Sequence, residues 1–341
     1  MPAAVSVIIP TYNQADYIEQ SIKSVLSQTE QNYEIIIMDD CSCDSTKEIV
    51  QKYVSDKIRY FCHDKNLGPG KTFNDGLAKA QYEYVTLIAS DDILFPTHLQ
   101  NIVQAFTENP DLEVLFPQLK FIDEKNRLTG RTLSVLETDK YKLLNKAFYY
   151  GNIFPSPGIA FKKSLFDRIA AFNPSLILNH DYDLNTRVVM NANFSVNPFI
   201  TVGYRRFTQK SNLSAYNTVW SEKCHKTEYC IIRDLFLDLP TDELKKIFPQ
   251  FSHISSTKYT AFLLLREACL STDVDLYEWG FSRTVQYLLS HPNFFYDNPF
   301  AFEYKDYIKL YKTNTKNIIG RTHKEKLYNT LKTIIKKAFN L

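Results

Sequence analysis

The sequence has few of the features that mark a secreted, membrane-spanning or metal-cluster protein. Its first residues, MPAAVSVIIP, hold no basic stretch followed by an apolar core of signal-peptide length, and no apolar run approaches the roughly eighteen residues of a membrane span. A cytosolic chain is expected. The six cysteines (Cys41, Cys43, Cys62, Cys224, Cys230, Cys269) lack CxxC spacing and any paired CxxC or HxxxH partner, which argues against structural zinc and against a dithiol couple. Reduced thiols follow. Nor is charge of one sign in excess: 40 Lys and Arg face 38 Asp and Glu, a net charge of +2, so there is no global electrostatic case for nucleic acid. No internal repeat or low-complexity linker interrupts the chain.

What is present is ample core material. With 341 residues, 44% hydrophobic and 14% aromatic, the chain can form one large or two ordinary domains. Residues 5–10 read as a strand, and Tyr17 to Gln28 carries Ile18, Ile22, Val25 and Leu26 at helical spacing. Glu34 to Asp39 is a second apolar strand; Ser45 and Glu48 spell a capping box that opens the next helix. A third unit runs from a strand at Ile58 to Cys62 through the turn NLGPG to a helix from Lys71 to Ala80. Tyr84 to Ala89 is rich in β-branched and aromatic residues, as a doubly buried strand should be, and ends abruptly in Asp91 and Asp92. Pro96 is a favourable first residue for the helix lined by Leu99, Ile102, Val103 and Phe106, and Leu112 to Phe116 returns as a strand. Repeated strand and helix of this kind predicts an α/β fold with a mostly parallel sheet covered on both faces. Farther on, 151–161 is turn-rich, 179–189 looks helical and 199–207 looks like a strand. Helical patterns then dominate, for instance Tyr259 to Cys269, ending in LYNTLKTIIKKAFN. The boundary is placed near 210, giving domains 1–210 and 211–341.

Three loops leave strand carboxyl ends with polar groups: Thr11-Tyr12-Asn13, Asp39-Asp40 and Asp91-Asp92. In open α/β sheets that edge is where ligands bind, so the three should converge on one crevice. Two adjacent carboxylates there repel each other unless a cation or a set of donors lies between them; the plainer reading is a turn that starts the next helix.

VSVIIPTYN at 5–13, IIIMDDCSCDST at 35–46, ASDD at 89–92 and NHDYDL at 179–184 resemble glycosyltransferase family 2, inverting nucleotide-sugar transferases of GT-A fold. The resemblance implies a mostly parallel Rossmann-like GT-A sheet with a helical C-terminal region. It implies that Pro10, Thr11 and Tyr12 hold the base and that Asp40 reads its edge. Uracil suits an acceptor there because its ring N–H needs one. By the same likeness Asp91 lies by the ribose or sugar, and Asp92 ligates Mn²⁺ or Mg²⁺ bridging the diphosphate. Ala89 stands where many members carry a further acid, which leaves the metal dependent on the nucleotide. Asp181 takes the place of the general base, with Asp183 as fallback; His180 replaces the usual glutamate and either tunes Asp181 or fills space. Phe73 occupies a usual arginine position, leaving Lys71 as the candidate diphosphate contact. Phe207 replaces the histidine of a YRxH-like loop, where either Arg205 or Arg206 substitutes at the diphosphate or the two form a solvated pair.

The implied activity is metal-dependent transfer from a UDP-sugar to a glycan or lipid-linked hydroxyl acceptor, in surface polysaccharide or glycan assembly. Tyr149, Tyr150 and Trp220 either stack on sugar rings or belong to the core. Two rivals are a non-catalytic nucleotide-sugar-binding module and a P-loop NTPase. The latter rests on Gly70-Lys71-Thr72 and lacks the first glycine, where Lys65 stands. Residues 309–341 carry nine Lys or Arg against one acidic residue, so this segment either contacts the inner membrane surface peripherally or packs on the protein.

Overall fold

The computed structural model describes residues 4–134, 137–207, 218–255 and 258–310. Four strands, β1 (Val5–Thr11), β2 (Tyr33–Asp39), β3 (Ile58–Cys62) and β4 (Tyr84–Leu87), pair in the order β3-β2-β1-β4, all parallel. Every residue of β2 is buried, which is why its sequence is a continuous apolar run rather than an alternating one. Helices α1 (Ile18–Leu26), α2 (Thr46–Gln51) and α3 (Pro69–Lys79) connect successive strands, the crossovers that parallel pairing demands. α1 buries Ile18, Ile22 and Val25, the positions its periodicity picks out. α3 lies so close to the sheet that a Cβ on Gly76 would meet Ile8 Cγ2 at 2.5 Å and Met38 Cγ at 3.1 Å.

The second half of the sheet is mixed. β8 (Ala160–Lys162) runs antiparallel between β4 and β6 (Val114–Ile122), and β9 (Phe194–Arg205) is parallel to β6. β5 (Ile93–Leu94) is antiparallel to β9, and β7 (Leu128–Leu133) is antiparallel on β6. β1 to β4, β6 and β9 therefore run one way, six of the nine strands, against β5, β7 and β8. The helices here are α4 (His98–Glu108), α5 (Lys140–Tyr150) and α6 (His180–Asn191).

Two local expectations change. Ser45 occupies the cap position of α2 without a side-chain bond; Asp44 does the capping, accepting from Thr46 N at 3.0 Å and Thr46 Oγ1 at 2.6 Å. α4 starts at His98 rather than at Pro96, because the Pro96 carbonyl accepts from Thr29 N at 2.8 Å and stays outside the helix.

The chain forms two compact units, Met1–Tyr229 and Cys230–Leu341, divided within α7 (Val219–Asp234). The boundary read from the sequence falls at 210, in a stretch outside the described residues. The second unit contains α8 (Thr241–Ile247), α9 (Thr260–Cys269), α10 (Val274–Ser290) and α11 (Phe294–Asp297) around an aromatic core that includes Phe262, Tyr277, Phe281 and Phe294. The LYNTLKTIIKKAFN helix and nearly all of the basic 309–341 segment lie outside the described residues. Among the described residues no helix is long and apolar enough to cross a membrane.

At the first residue of α4, His98 is buried between Thr201 Oγ1 at 2.9 Å and Thr86 Oγ1 at 3.3 Å. Burial alone pushes its imidazole down from 6.5 to about 3. The folded protein keeps this ring neutral while the unfolded chain protonates it. Stability should therefore fall as pH drops from about 6.5 toward 3, by about 1.4 kcal/mol per pH unit from this residue. Urea unfolding of wild type and His98→Gln across that range checks it: the variant should lose one proton's worth of slope, and identical slopes would contradict the assignment.

Candidate active site

The strand order places a switch point beside β1, because β2 follows it on one side and β4 lies on the other. At the β1 and β2 ends, Asp40 N donates to Thr11 O at 2.9 Å, which ties the two loops together. Tyr12 leaves the strand half exposed, and the buried Thr11 hydroxyl has no partner among the described residues. Asp40 is buried and receives three donors: Leu67 N at 2.8 Å and His63 Nδ1 at 2.8 Å on Oδ1, and Gly68 N at 2.8 Å on Oδ2. Gly68 has φ +84°, a left-handed conformation that glycine adopts without strain. A carboxylate has about four acceptor positions, so one on Oδ2 remains for a base. His63 Nε2 lies 3.0 Å from Asp75 Oδ2, and Asp75 also pairs with Lys71. Thr72 Oγ1 donates to Gly68 O at 2.8 Å, so the last residue of the P-loop-like triplet is committed to the backbone.

Asp91 and Asp92 follow β4. Asp92 is 1% exposed; its Oδ1 accepts from Arg205 N at 2.7 Å, and its Oδ2 is buried with no partner among the described residues. Burial raises the Asp92 carboxyl well above the ordinary range, and the charge of Asp91 raises it further. Burial raises Asp91 too, against the pull of Arg205. An orphaned carboxylate oxygen in that state fits a divalent cation. Among the described residues no three His, Cys, Asp or Glu converge as a metal cage, so the rest of the coordination would come from water and diphosphate oxygens.

Arg205, expected to contact the diphosphate, has no exposed surface. Its guanidinium donates to Asp91 O at 2.6 Å, Asp123 O at 2.6 Å, Gln20 Oε1 at 3.0 Å and Asn126 Oδ1 at 2.6 Å, and stacks over the Tyr17 ring at 4.9 Å. Its donors are committed to the protein, which corrects that expectation. Arg206 is exposed, its guanidinium 4.8 Å from the Tyr204 ring and 5.5 Å from that of Phe121.

Asp181 is the second residue of α6. Its Oδ2 accepts from Ser156 Oγ at 2.9 Å and Asn152 Nδ2 at 3.0 Å, while Oδ1 receives only the adjacent Tyr182 N at 2.8 Å among the bonds observed. Asp183 is buried and bound to Arg187 at 2.6 Å, a structural pair along the helix. His180 packs against Phe73 and Phe172, ring centroids 6.1 and 5.8 Å away, and Phe73 stacks on Phe172 at 4.7 Å. Tyr149 packs on Phe148, whereas Tyr150 and Trp220 are exposed. The Tyr204 phenol is pushed up to about 12 by burial first, then by the charge of Asp92, with Arg206 pulling the other way and Asp91 and Asp181 adding smaller contributions.

The model of "Glycosyl transferase family 2" matches residues 6–170. An uncharacterized glycosyltransferase from Rickettsia typhi is 30% identical over 246 residues, 67% of this chain and 75% of the relative. The chain belongs to glycosyltransferase family 2. A putative teichuronic acid biosynthesis glycosyltransferase of Bacillus subtilis, TuaG, is 43% identical over 90 residues, 26% of this chain and 36% of that protein. The crystal structure of S. aureus TarS 1-349 superposes with a TM-score of 0.56 at 22% identity, covering 85% of this chain and 81% of that one, and has also been solved with UDP-GlcNAc. Against two relatives from Rickettsia felis and Rickettsia bellii the chain spans only 42% and 20% of the relative's length. The GT-A fold that the motifs implied is the fold observed.

In this family 2 chain the residues that sequence reading passed over are His63, Asn152, Ser156 and Glu228. Asn152 and Ser156 sit in the stretch GNIFPSPG, where two polar side chains interrupt an otherwise apolar turn; that was the available signal. Glu228 and His63 had none, because their partners are distant in sequence.

If Arg205 is a buried clamp, Arg205→Lys, which loses the planar five-donor fork, should destabilise the protein by about 3 kcal/mol in urea unfolding. A loss below about 1 kcal/mol, with nucleotide affinity falling instead, would return it to the ligand surface.

Proposed function

We propose that this chain transfers a glycosyl group, with inversion, from a nucleoside-diphosphate sugar to a hydroxyl acceptor. The observation that carries the reading is Asp92, buried after β4 with one oxygen unpartnered among the described residues, together with Asp181, whose Oδ1 is the less engaged of its two oxygens; the charges of both act on the Tyr204 phenol. On this reading Asp92 serves the donor side and Asp181 the acceptor side. Pro10, Thr11, Tyr12 and Asp40 would take the base; UDP is favoured because the remaining Asp40 acceptor position suits the uracil N–H, and TarS has been solved with UDP and UDP-GlcNAc. Lys71 and Arg206 would face the diphosphate, and Asp91 the ribose or sugar.

Asp92 would hold Mn²⁺ or Mg²⁺, whose charge offsets the negative charge gathering on the leaving diphosphate. In the transfer step the acceptor oxygen bonds to the anomeric carbon as the bond to the diphosphate oxygen breaks. The electron pair leaves with the diphosphate, and the acceptor proton passes to Asp181 Oδ1. Ser156 and Asn152 hold the other carboxylate oxygen and so fix the direction of that base. TuaG, named for teichuronic acid biosynthesis, supports a polysaccharide or lipid-linked glycan as acceptor class. A cytoplasmic enzyme lying at the inner membrane face through 309–341 suits such an acceptor.

Asp181→Asn should lower kcat by roughly 10² to 10⁴ with donor binding nearly intact, since asparagine keeps the shape and loses the basicity. Asp183→Asn should instead lower stability, because Arg187 loses its partner. Turnover and melting of the two variants decide it: normal turnover in Asp181→Asn would remove the base assignment.

A further inference from the structure

Glu228 on α7 is a buried carboxylate to which the transfer step assigns no role, and it is bound to the segment that leads into α6. It accepts from three successive backbone N–H groups: Ile177 at 2.5 Å, Leu178 at 3.1 Å and Asn179 at 2.8 Å. The Asn179 side-chain amide adds a fourth bond at 2.9 Å and Cys224 Sγ a fifth at 3.4 Å. Burial pushes this carboxyl up, but the bonds from Ile177 and Asn179 outweigh it and hold it below the ordinary range.

Asn179 is the N-cap residue of α6, yet its side chain makes no cap bond. Its Nδ2 goes to Glu228, and its Oδ1 lies 3.1 Å from His225 Nδ1, also on α7. Asn179, His225 and Glu228 are all buried, so water does not compete for these bonds. The start of α6 is thus fixed from outside by α7 rather than by its own cap. Two residues after Asn179 comes Asp181, whose Oδ2 must meet both Ser156 and Asn152. A shift of the 177–179 segment moves that carboxylate directly, and transfer geometry tolerates little displacement.

We propose that Glu228 is a positioning residue for transfer: from α7 it clamps the 177–179 segment and so aims the Asp181 carboxylate at the acceptor oxygen. The proposal rests on the reading of Asp181 as the base. Neither Glu228 nor His225 lies within the part of the chain that the family model matches, 6–170. In Glu228→Gln the charge is lost and an NH₂ group faces backbone N–H donors that it cannot accept, so the clamp loosens at nearly constant volume.

The test measures hydrolysis of UDP-, GDP-, CDP- and dTDP-hexoses without acceptor, with Mn²⁺, followed by nucleotide release, using the donor that the wild type turns over. Glu228→Gln should lower kcat about 10- to 100-fold with donor KM within about twofold, and should lower it no further in an Asp181→Asn background, because both changes remove the same function. Asn179→Ser, which keeps a cap-competent hydroxyl but loses both clamps on the side chain, should give a smaller loss of the same kind and covers the case in which Glu228→Gln fails to fold. Wild-type turnover in folded Glu228→Gln, with Asp181→Asn inactive, overturns the proposal and leaves the base reading intact. Losses that multiply in the double variant, or a donor KM that rises with the fall in kcat, make Glu228 a general support of the fold and also overturn it. Normal turnover in Asp181→Asn, or a wild type that hydrolyses none of the four donors, removes the reading of the site and the proposal with it.

Discussion

A guanidinium with no exposed surface holds the site together. Arg205, the last residue of β9, gathers the Asp91 carbonyl, the Asp123 carbonyl and Asn126 from the β6–β7 turn, and Gln20 from α1, while its own backbone N–H binds Asp92. Burying a cation costs several kcal/mol unless its donors are met, and here carbonyl and amide oxygens meet them. The consequence reaches Asp92: one oxygen is spoken for, the other is buried with no partner among the described residues, and the pair with Asp91 is held in a low-dielectric place where both carboxyls resist ionisation. A site so arranged gains most from a ligand that brings positive charge with it.

The departures from the family pattern are absorbed by aromatic packing. Phe73, at a usual arginine position, stacks on Phe172 and touches His180, itself a replacement for glutamate. Phe207, in place of a histidine, packs edge-on against Tyr17, the ring over which Arg205 lies. Phe73, Phe172 and His180 form one ring cluster where the family pattern has an arginine and a glutamate, and Phe207 anchors the loop after β9 on Tyr17. The family's cationic positions are thereby reduced, which leaves Arg206 and Lys71 as the proposed diphosphate contacts.

The first half of the fold was legible because buried parallel strands write themselves as unbroken apolar runs and their crossovers as periodic helices. β7 and α5 were not: β7 is largely exposed and polar, and the Asp139 cap that opens α5 was passed over. The acids of the site could be read from their place after strands. What they bond to could not: Asp40 depends on the backbone of Leu67 and Gly68, Asp181 on Asn152 and Ser156, and the start of α6 on Glu228, 49 residues beyond Asn179. Arg205 was misjudged for the same reason. Adjacent arginines look alike in sequence, and only the pleat decides that one faces the core and the next faces water.

The account depends most on the empty oxygen of Asp92 needing a cation that arrives with the nucleotide. Calorimetric titration of the wild type with UDP, in Mn²⁺ and again in excess chelator, tests this directly. The account predicts that affinity falls at least about tenfold, or about 1.4 kcal/mol, when the metal is removed. Equal affinity in chelator would contradict it.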